Sequence, residues 1–95
     1  MLSKDGPDEK TIFYILRVDR RELVLKEFQD HSVLRGSDIA KNLNRSLQNI
    51  GRALAELEQE GLVKCMSPEN HTWKKYILTE KGKHILNELQ ARKLM

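Results

Sequence analysis

The segment that most constrains the fold of this chain is residues 37–63, SDIAKNLNRSLQNIGRALAELEQEGLV. Its apolar residues recur at spacings of three and four, as on the buried face of a helix, and the pattern is interrupted near Asn44. Asn tolerates left-handed backbone, and the Ser46 hydroxyl can accept a hydrogen bond from a free amide at the start of the next helix. The segment therefore predicts a short helix, a tight turn and a longer helix that ends at Gly61.

The longer helix, residues 46–60, is predicted to have one buried face and one outward face. The buried stripe steps by three, four and three residues, at Leu47, Ile50, Leu54 and Leu57. The outward face carries Ser46, Gln48, Asn49 and Arg52. No acidic residue occurs in residues 39–55, a stretch that holds three basic residues. The outward face is therefore basic at the start of this helix.

The charge of the whole chain is unevenly distributed. The 95 residues carry a net charge of +3. Residues 1–38 contain seven basic and eight acidic residues, a net charge of −1, whereas residues 39–95 contain ten basic and six acidic residues, a net charge of +4. The basic excess belongs to the half of the chain that contains most of the predicted motif. This distribution favours an anionic partner, such as nucleic acid.

The residues before the motif are predicted to form one long helix. Residues 1–7 are polar, end in the breaker Gly6-Pro7, and are expected to be a flexible lead. In residues 8–30, apolar residues recur at helical spacing with arginines between them. The run TIFYILRV is rich in β-branched and aromatic residues and could instead form an edge strand. Residues 31–36 are expected to be a connection, after which Ser37 caps the short helix.

After the second helix, the apolar period changes from helical to alternating. Leu62 to Met66 and Trp73 to Leu78 are predicted strands, and the tip between them contains the turn residues Pro and Asn. Thr79 is predicted to cap a final helix over residues 80–93. The predicted fold is α+β and mainly α: a winged helix-turn-helix with a two-stranded β-hairpin wing and a C-terminal helix. It forms a single domain over residues 8–95.

Two stretches, LQNIGRALAELEQEGLVKCMSP and KKYILTEKGKHIL, resemble the small winged-helix transcriptional regulators of archaea and bacteria, close to the MarR-like and ArsR-like groups. The matching positions are Ser46, Ile50, Arg52-Ala53-Leu54, Leu57-Glu58, Gly61-Leu62-Val63, and Tyr76-Ile77-Leu78-Thr79 with Gly82. The resemblance covers about residues 20–90 and implies a transcriptional regulator that binds double-stranded DNA sequence-specifically. The family often carries Arg at the wing tip, where this chain has Glu69-Asn70-His71. The resemblance therefore does not extend to insertion of the wing into a minor groove.

With DNA as the ligand, the recognition helix, residues 46–60, is expected to enter the major groove. The predicted base contacts are Gln48, Asn49 and Arg52, because Asn or Gln can pair with adenine through two hydrogen bonds and Arg can pair likewise with guanine. The predicted phosphate contacts are Lys41, Arg45, Ser46, Lys64, Lys74 and Lys75.

One small domain reads only a few base pairs, so we expect a homodimer on a two-fold related DNA site. Both ends of the chain hold more apolar residues than one small core should require. The predicted dimer interface is Ile12, Phe13, Leu16, Ile85 and Leu89. The alternative hypothesis is a winged-helix module that binds proteins or RNA and has no sequence-specific affinity for DNA.

Candidate catalytic and metal-binding residues are few. The soft metal ligands are His31, His71, His84 and Cys65, and they lack the close pairs typical of zinc sites. We therefore predict no metal, no cofactor and no enzymatic activity. The single cysteine, the polar N-terminal stretch and the lack of a long apolar run lead us to expect a cytoplasmic protein.

Overall fold

The computed structural model describes residues 7–66 and 74–93, apart from the side chains of Pro7, Asp8 and Lys93. The elements in these ranges are α1 (Pro7–Leu16), α2 (Asp19–Glu27), β1 (Val33–Arg35), α3 (Gly36–Leu43), α4 (Leu47–Gln59), β2 (Val63–Cys65), β3 (Lys75–Leu78) and α5 (Glu80–Lys93). This order confirms the predicted winged helix-turn-helix fold. The predicted lead of residues 1–7 lies outside the described residues except for Pro7, with which α1 begins.

The predicted single helix over residues 8–30 is wrong, because two helices occupy this segment. Helix α1 ends at Leu16, and Val18 is extended, with φ −129° and ψ 115°. Helix α2 then begins at Asp19, and acidic residues in a first helical turn interact favourably with the helix dipole. The run TIFYILRV is helical as far as Leu16, so the edge-strand alternative for these residues is excluded.

The sheet has a third strand in the segment that was predicted to be a connection. Strand β1 pairs antiparallel with β3, which places Leu34 opposite Tyr76, and the sheet order is β1-β3-β2. Leu34 is buried. Three residues are too few to show a strand period in the sequence, and their pairing partner lies about forty positions further along the chain.

The predicted hairpin is present, but its strands are shorter than predicted. Strands β2 and β3 pair antiparallel, with Val63 opposite Leu78 and Cys65 opposite Tyr76. The predicted wing tip and the beginning of the second predicted strand, residues 67–73, lie outside the described residues.

All of the helices contribute to one hydrophobic core. The side chains with no exposed surface are Ile15, Val24, Leu25, Ile39, Ile50, Ala53, Leu57, Leu62 and Ile85. The remaining members of the core surround these, and Leu34, Val63 and Tyr76 add the inner face of the sheet. None of the helices in the described ranges combines the length and the apolar character that a membrane span requires.

The turn that defines the motif has the predicted geometry. Asn44 is left-handed, with φ 55° and ψ 46°, and closes α3. The Ser46 hydroxyl oxygen accepts a hydrogen bond from the Asn49 amide at 3.1 Å, which caps α4. Gly61 follows the end of α4 with φ 77°. The prediction that Ser37 caps α3 is wrong, because α3 begins at Gly36, directly after strand β1.

The junction of α4 and α5 explains the Thr79 and Gly82 positions of the sequence pattern. The Thr79 hydroxyl donates a hydrogen bond to the Gly61 carbonyl at 2.6 Å and accepts one from the Gly82 amide at 2.9 Å. A Cβ atom at residue 82 would overlap the Leu62 carbonyl oxygen. The Lys81 ammonium group donates to the Glu60 carbonyl at 2.9 Å. These contacts join the end of α4 to the start of α5.

Candidate nucleic-acid interface

Helix α4 presents three of its polar side chains to solvent. Gln48, Asn49 and Arg52 are exposed, as the sequence pattern predicted. The opposite face of α4 is buried through Ile50, Ala53, Leu54 and Leu57. Within the described part of the chain, the Arg52 guanidinium has no hydrogen-bond or ion-pair partner. Its five donors are therefore available to a ligand.

Leu47 was predicted to be buried and is instead 59% exposed. It is the first residue of α4, and its Cδ1 atom leans towards the backbone of Gly36 at the start of α3. One turn further along α4, Gly51 is also exposed, and a Cβ atom there would meet no atom within 4 Å. A period of three and four does not reveal this exposure, because a first helical residue can project beyond the helix that packs against the others.

A groove of about 330 Å³ separates α4 from the sheet. Leu47 and Gly51 line its α4 side, and Tyr76 lies on the opposite wall. Arg35, Lys74 and Glu58 also line the groove, so its charged groups are of both signs. The Arg35 guanidinium lies 3.2 Å from the Asp38 carboxylate. The sequence pattern gave no role to Arg35, because β1 was not predicted. In the sequence, Arg35 could have been recognised only as a basic residue two positions before Ser37.

The predicted phosphate contacts are all exposed, but they do not form one surface. Lys41, Arg45 and Ser46 belong to α3 and to the turn before α4. The Arg45 guanidinium lies 3.3 Å from the Asp19 carboxylate of α2. The Ser46 hydroxyl oxygen caps α4, and its own proton remains available to an anion.

The sheet register separates the three lysines that were predicted in the wing. Lys64 is paired with Ile77, and both Lys75 and Ile77 are neighbours of the buried Tyr76 along β3. Because side chains alternate between the two faces of a strand, Lys64 and Lys75 lie on the face opposite Tyr76. Lys74 lines the groove beside α4. The structure therefore brings Lys74 together with α4 and places Lys64 and Lys75 on the outer face of the sheet.

Helix α4 is fastened to α2 by a cluster of partly buried charges. The Glu56 carboxylate of α4 contacts Arg21 Nε through Oε1 and Arg20 NH2 through Oε2, each at 3.0 Å. The Arg21 hydrogen bond is the main cause that lowers the pKa of Glu56, which burial opposes. Arg21 also donates to the Tyr14 carbonyl at 2.6 Å, and its guanidinium carbon lies 3.8 Å from the centre of the Tyr14 ring. This cluster links α1, α2 and α4.

The predicted dimer residues fall into two groups. Ile12, Ile85 and Leu89 are at most 2% exposed and pack inside the core of one chain. These three side chains offer a partner no surface, so the fold does not support a dimer contact for them. Phe13 and Leu16 lie on α1 and are 65% and 47% exposed.

The described ranges hold no group of three or more His, Cys, Asp or Glu side chains that could bind a metal ion. Cys65 is a half-buried free thiol on β2. His31 and His84 are exposed, and His71 lies outside the described residues.

A helix-turn-helix whose second helix is capped, exposed along one face and followed by a hairpin is a winged-helix domain. The family model described as winged helix-turn-helix matches residues 24–95. The chain therefore belongs to the winged helix-turn-helix family. No curated protein sequence matches the chain.

Solved structures with this fold include several regulators of the MarR family. A MarR-family transcription regulator has a TM-score of 0.75 at 20% sequence identity, over 92% of this chain and 58% of its own. The S. aureus MepR–DNA complex has a TM-score of 0.71 at 19% identity, over 88% of this chain and 71% of its own. The AntR antimony-specific transcriptional repressor has a TM-score of 0.77 at 16% identity, over 98% and 80%. The chain thus shares the fold of these three proteins. It spans 58% of the length of the MarR-family transcription regulator.

Proposed function

We propose that this chain binds double-stranded DNA sequence-specifically and regulates transcription, with α4 in the major groove. The observation that carries the proposal is the exposed, acid-free surface at the start of α4, residues 46–52, where Gln48, Asn49 and Arg52 follow the Ser46 cap. A helix presented in this way can enter a major groove. The shared fold of a MepR–DNA complex and of other transcription regulators supports the same role.

The base contacts in this proposal are Gln48, Asn49 and Arg52. Their amide and guanidinium groups can each form two hydrogen bonds to the edge of a purine. Leu47 adds an exposed apolar side chain to the same end of α4, and such a side chain can contact the methyl group of thymine. The discrimination for each good two-bond pair is about 1–3 kcal/mol against the wrong base.

The phosphate contacts in this proposal are centred on both sides of α4. Lys41, Arg45 and Ser46 lie before it, and Lys74 flanks the groove beside it. Arg45 would exchange its exposed Asp19 partner for a phosphate oxygen, which costs little because exposed ion pairs are weak. Lys64 and Lys75 lie on the outer face of the sheet and contribute only if the DNA reaches around the wing. Each phosphate contact releases counterions and makes the affinity depend on salt.

We further propose that the functional unit is a homodimer. Phe13 and Leu16 are large apolar side chains exposed on α1, and they are the two predicted interface residues that a second copy could cover. Two copies related by a two-fold axis would read two half-sites about one helical turn of DNA, roughly 34–36 Å, apart. Such a protein performs no covalent step and would work in the cytoplasm, where its single thiol stays reduced.

Selection of bound fragments from a random pool of duplex DNA tests this proposal directly. We expect enrichment of one sequence motif, in two inverted copies for a dimer. The variant Asn49→Ala with Arg52→Ala should lose the preference for that motif, whereas Gln59→Ala, which changes an exposed residue at the other end of α4, should keep it. Absence of any enriched motif, or equal binding of RNA and duplex DNA, would favour the protein-binding or RNA-binding alternative.

A further inference from the structure

Glu56 and Arg52 lie one turn apart on α4, but within the described residues they do not form an ion pair with each other. Opposite charges at positions i and i+4 of a helix attract each other. Both carboxylate oxygens of Glu56 are instead engaged by α2, Oε1 by Arg21 and Oε2 by Arg20.

We propose that Arg20 and Arg21 occupy Glu56 so that the Arg52 guanidinium remains available to read a base. The proposal rests on the proposed function, in which Arg52 contacts DNA. Arg20 and Arg21 are positioning residues in this account, since they act on DNA recognition through Glu56 and Arg52.

The burial of the cluster keeps the carboxylate on the α2 side of α4. The side chains of Arg21 and Glu56 are 13% and 21% exposed, and that of Arg20 is 25% exposed. Arg52, in contrast, lies on the exposed surface. The partly buried ion pairs that Glu56 forms with α2 are therefore stronger than a pair with Arg52 that would form in solvent.

The Arg21 side chain is itself held in place by Tyr14 of α1. Its NH1 group donates to the Tyr14 carbonyl at 2.6 Å, and its guanidinium stacks over the Tyr14 ring at 3.8 Å. Because α1 fixes the orientation of Arg21, the Nε group is presented to Glu56 Oε1 without a search through other rotamers. The contacts that free Arg52 therefore begin in α1, at a residue adjacent to the exposed Phe13.

Loss of the two α2 arginines would have two consequences at the DNA surface. The Glu56 carboxylate would gain a new partner in Arg52, which would then have to break that pair before contacting a base. The same carboxylate, no longer neutralised, would repel the phosphate groups of the DNA. Both consequences depend on Glu56 and disappear when its charge is removed.

The experiment measures affinity for the selected duplex by fluorescence anisotropy in a set of charge-neutralising variants. Arg20→Gln with Arg21→Gln should weaken binding. Adding Glu56→Gln to that pair should restore affinity by roughly two- to fivefold more than adding Glu58→Gln does. Glu58 is the matched control, because it is exposed on the same helix and removes the same charge.

The same two neutralisations in the wild-type chain complete the cycle. Glu56→Gln should then raise affinity less than Glu58→Gln does, since Glu56 is already neutralised by α2, whereas Glu58 forms no ion pair within the described residues and lines the groove beside α4. Arg20→Gln alone, which leaves the Arg21 contacts in place, should show the same effect at a smaller size and serves where the paired variant fails to fold.

Two results would overturn the proposal. One is equal rescue by Glu56→Gln and Glu58→Gln in the arginine-deficient chain. The other is weakened binding by Glu56→Gln in the wild-type chain, which would mean that the carboxylate serves only to hold α4 on α2. Both results presuppose measurable binding of the duplex by the wild-type chain. If the wild-type chain does not bind, the proposed function fails before this cycle begins.

Discussion

At the scale of single residues, the exposed face of α4 differs from the predicted one at Leu47. The step of three and four residues groups Leu47 with Leu54, yet Leu47 is 59% exposed and Leu54 only 1%. Residue chemistry alone cannot separate them, because the difference arises from which parts of other helices lie over each position. The same holds for glycines: Gly51 has open space around it, whereas Gly82 touches the backbone of Leu62.

Replacing each leucine by alanine should separate these two environments. Leu54→Ala should lower the free energy of unfolding by about 2–5 kcal/mol, because it leaves a cavity in the core. Leu47→Ala should change it by less than about 0.5 kcal/mol, because the side chain is mostly in solvent. Urea unfolding followed by circular dichroism measures both. Similar losses for the two variants would show that Leu47 belongs to the core after all.

Replacing each glycine by alanine should have effects of opposite sign. Gly51→Ala should raise the free energy of unfolding by up to about 1 kcal/mol, since Gly is a poor helix former and nothing obstructs a methyl group there. Gly82→Ala should lower it by about 1–3 kcal/mol, because the new methyl group must displace the Leu62 carbonyl. Thermal unfolding of the two variants checks the pair. A stabilised Gly82→Ala variant would contradict the close approach of α5 to the end of α4.

At the scale of elements, the local signals predicted well and the long-range ones did not. The left-handed Asn44, the Ser46 cap and the Thr79 cap each depend on neighbours within a few residues, so the sequence reveals them. Strand β1 depends on pairing with a distant strand, and the break between α1 and α2 depends on how both helices pack on the core. Those two features were therefore missed. For the candidate site, the sequence placed Gln48, Asn49 and Arg52 on the exposed face but did not indicate the Glu56 cluster.

The tie between α2 and α4 should weaken in acid. The folded state lowers the pKa of Glu56, first through the Arg21 hydrogen bond, so its contribution is complete above the ordinary value of 4.5 and is lost as pH falls through the lowered folded value. At about pH 6, Glu56→Gln should reduce the free energy of unfolding by about 1–2 kcal/mol, as expected for a charged hydrogen bond.

Urea unfolding of the wild-type and Glu56→Gln chains at several pH values measures this difference. It should shrink as the pH falls through the lowered pKa of Glu56, because the wild-type carboxyl group then also becomes neutral. Glu58→Gln provides the control for a general loss of negative charge. A difference that stays constant with pH would show that the Glu56 charge does not hold α4.

At the scale of the whole molecule, Phe13 and Leu16 are the exposed apolar residues of α1 that the proposed dimer would cover. They belong to α1, whereas the exposed Gln48, Asn49 and Arg52 belong to α4. A second copy that covers Phe13 and Leu16 would leave the exposed face of α4 accessible. In the proposed complex, the basic excess of residues 39–95 would face the DNA in both copies.

Light scattering at increasing protein concentration tests the dimer. We expect the mass of two chains for the wild type and of one chain for Phe13→Glu with Leu16→Glu, because four carboxylates, two from each copy, would be buried together at the interface. Met66→Gln removes another exposed apolar side chain and should leave the dimer intact. A wild-type chain that stays monomeric at high concentration would refute the homodimer.

The central claim, that α4 binds DNA, is tested most directly by anisotropy titrations of duplex DNA at several salt concentrations. We predict that the logarithm of the association constant falls linearly with the logarithm of salt, with a slope of about −0.9 for each phosphate contact. Lys74→Ala should make the slope shallower by roughly one contact, whereas Asn49→Ala with Arg52→Ala should abolish the preference for the selected sequence. No binding at low salt, or an unchanged sequence preference in that double variant, would contradict the account.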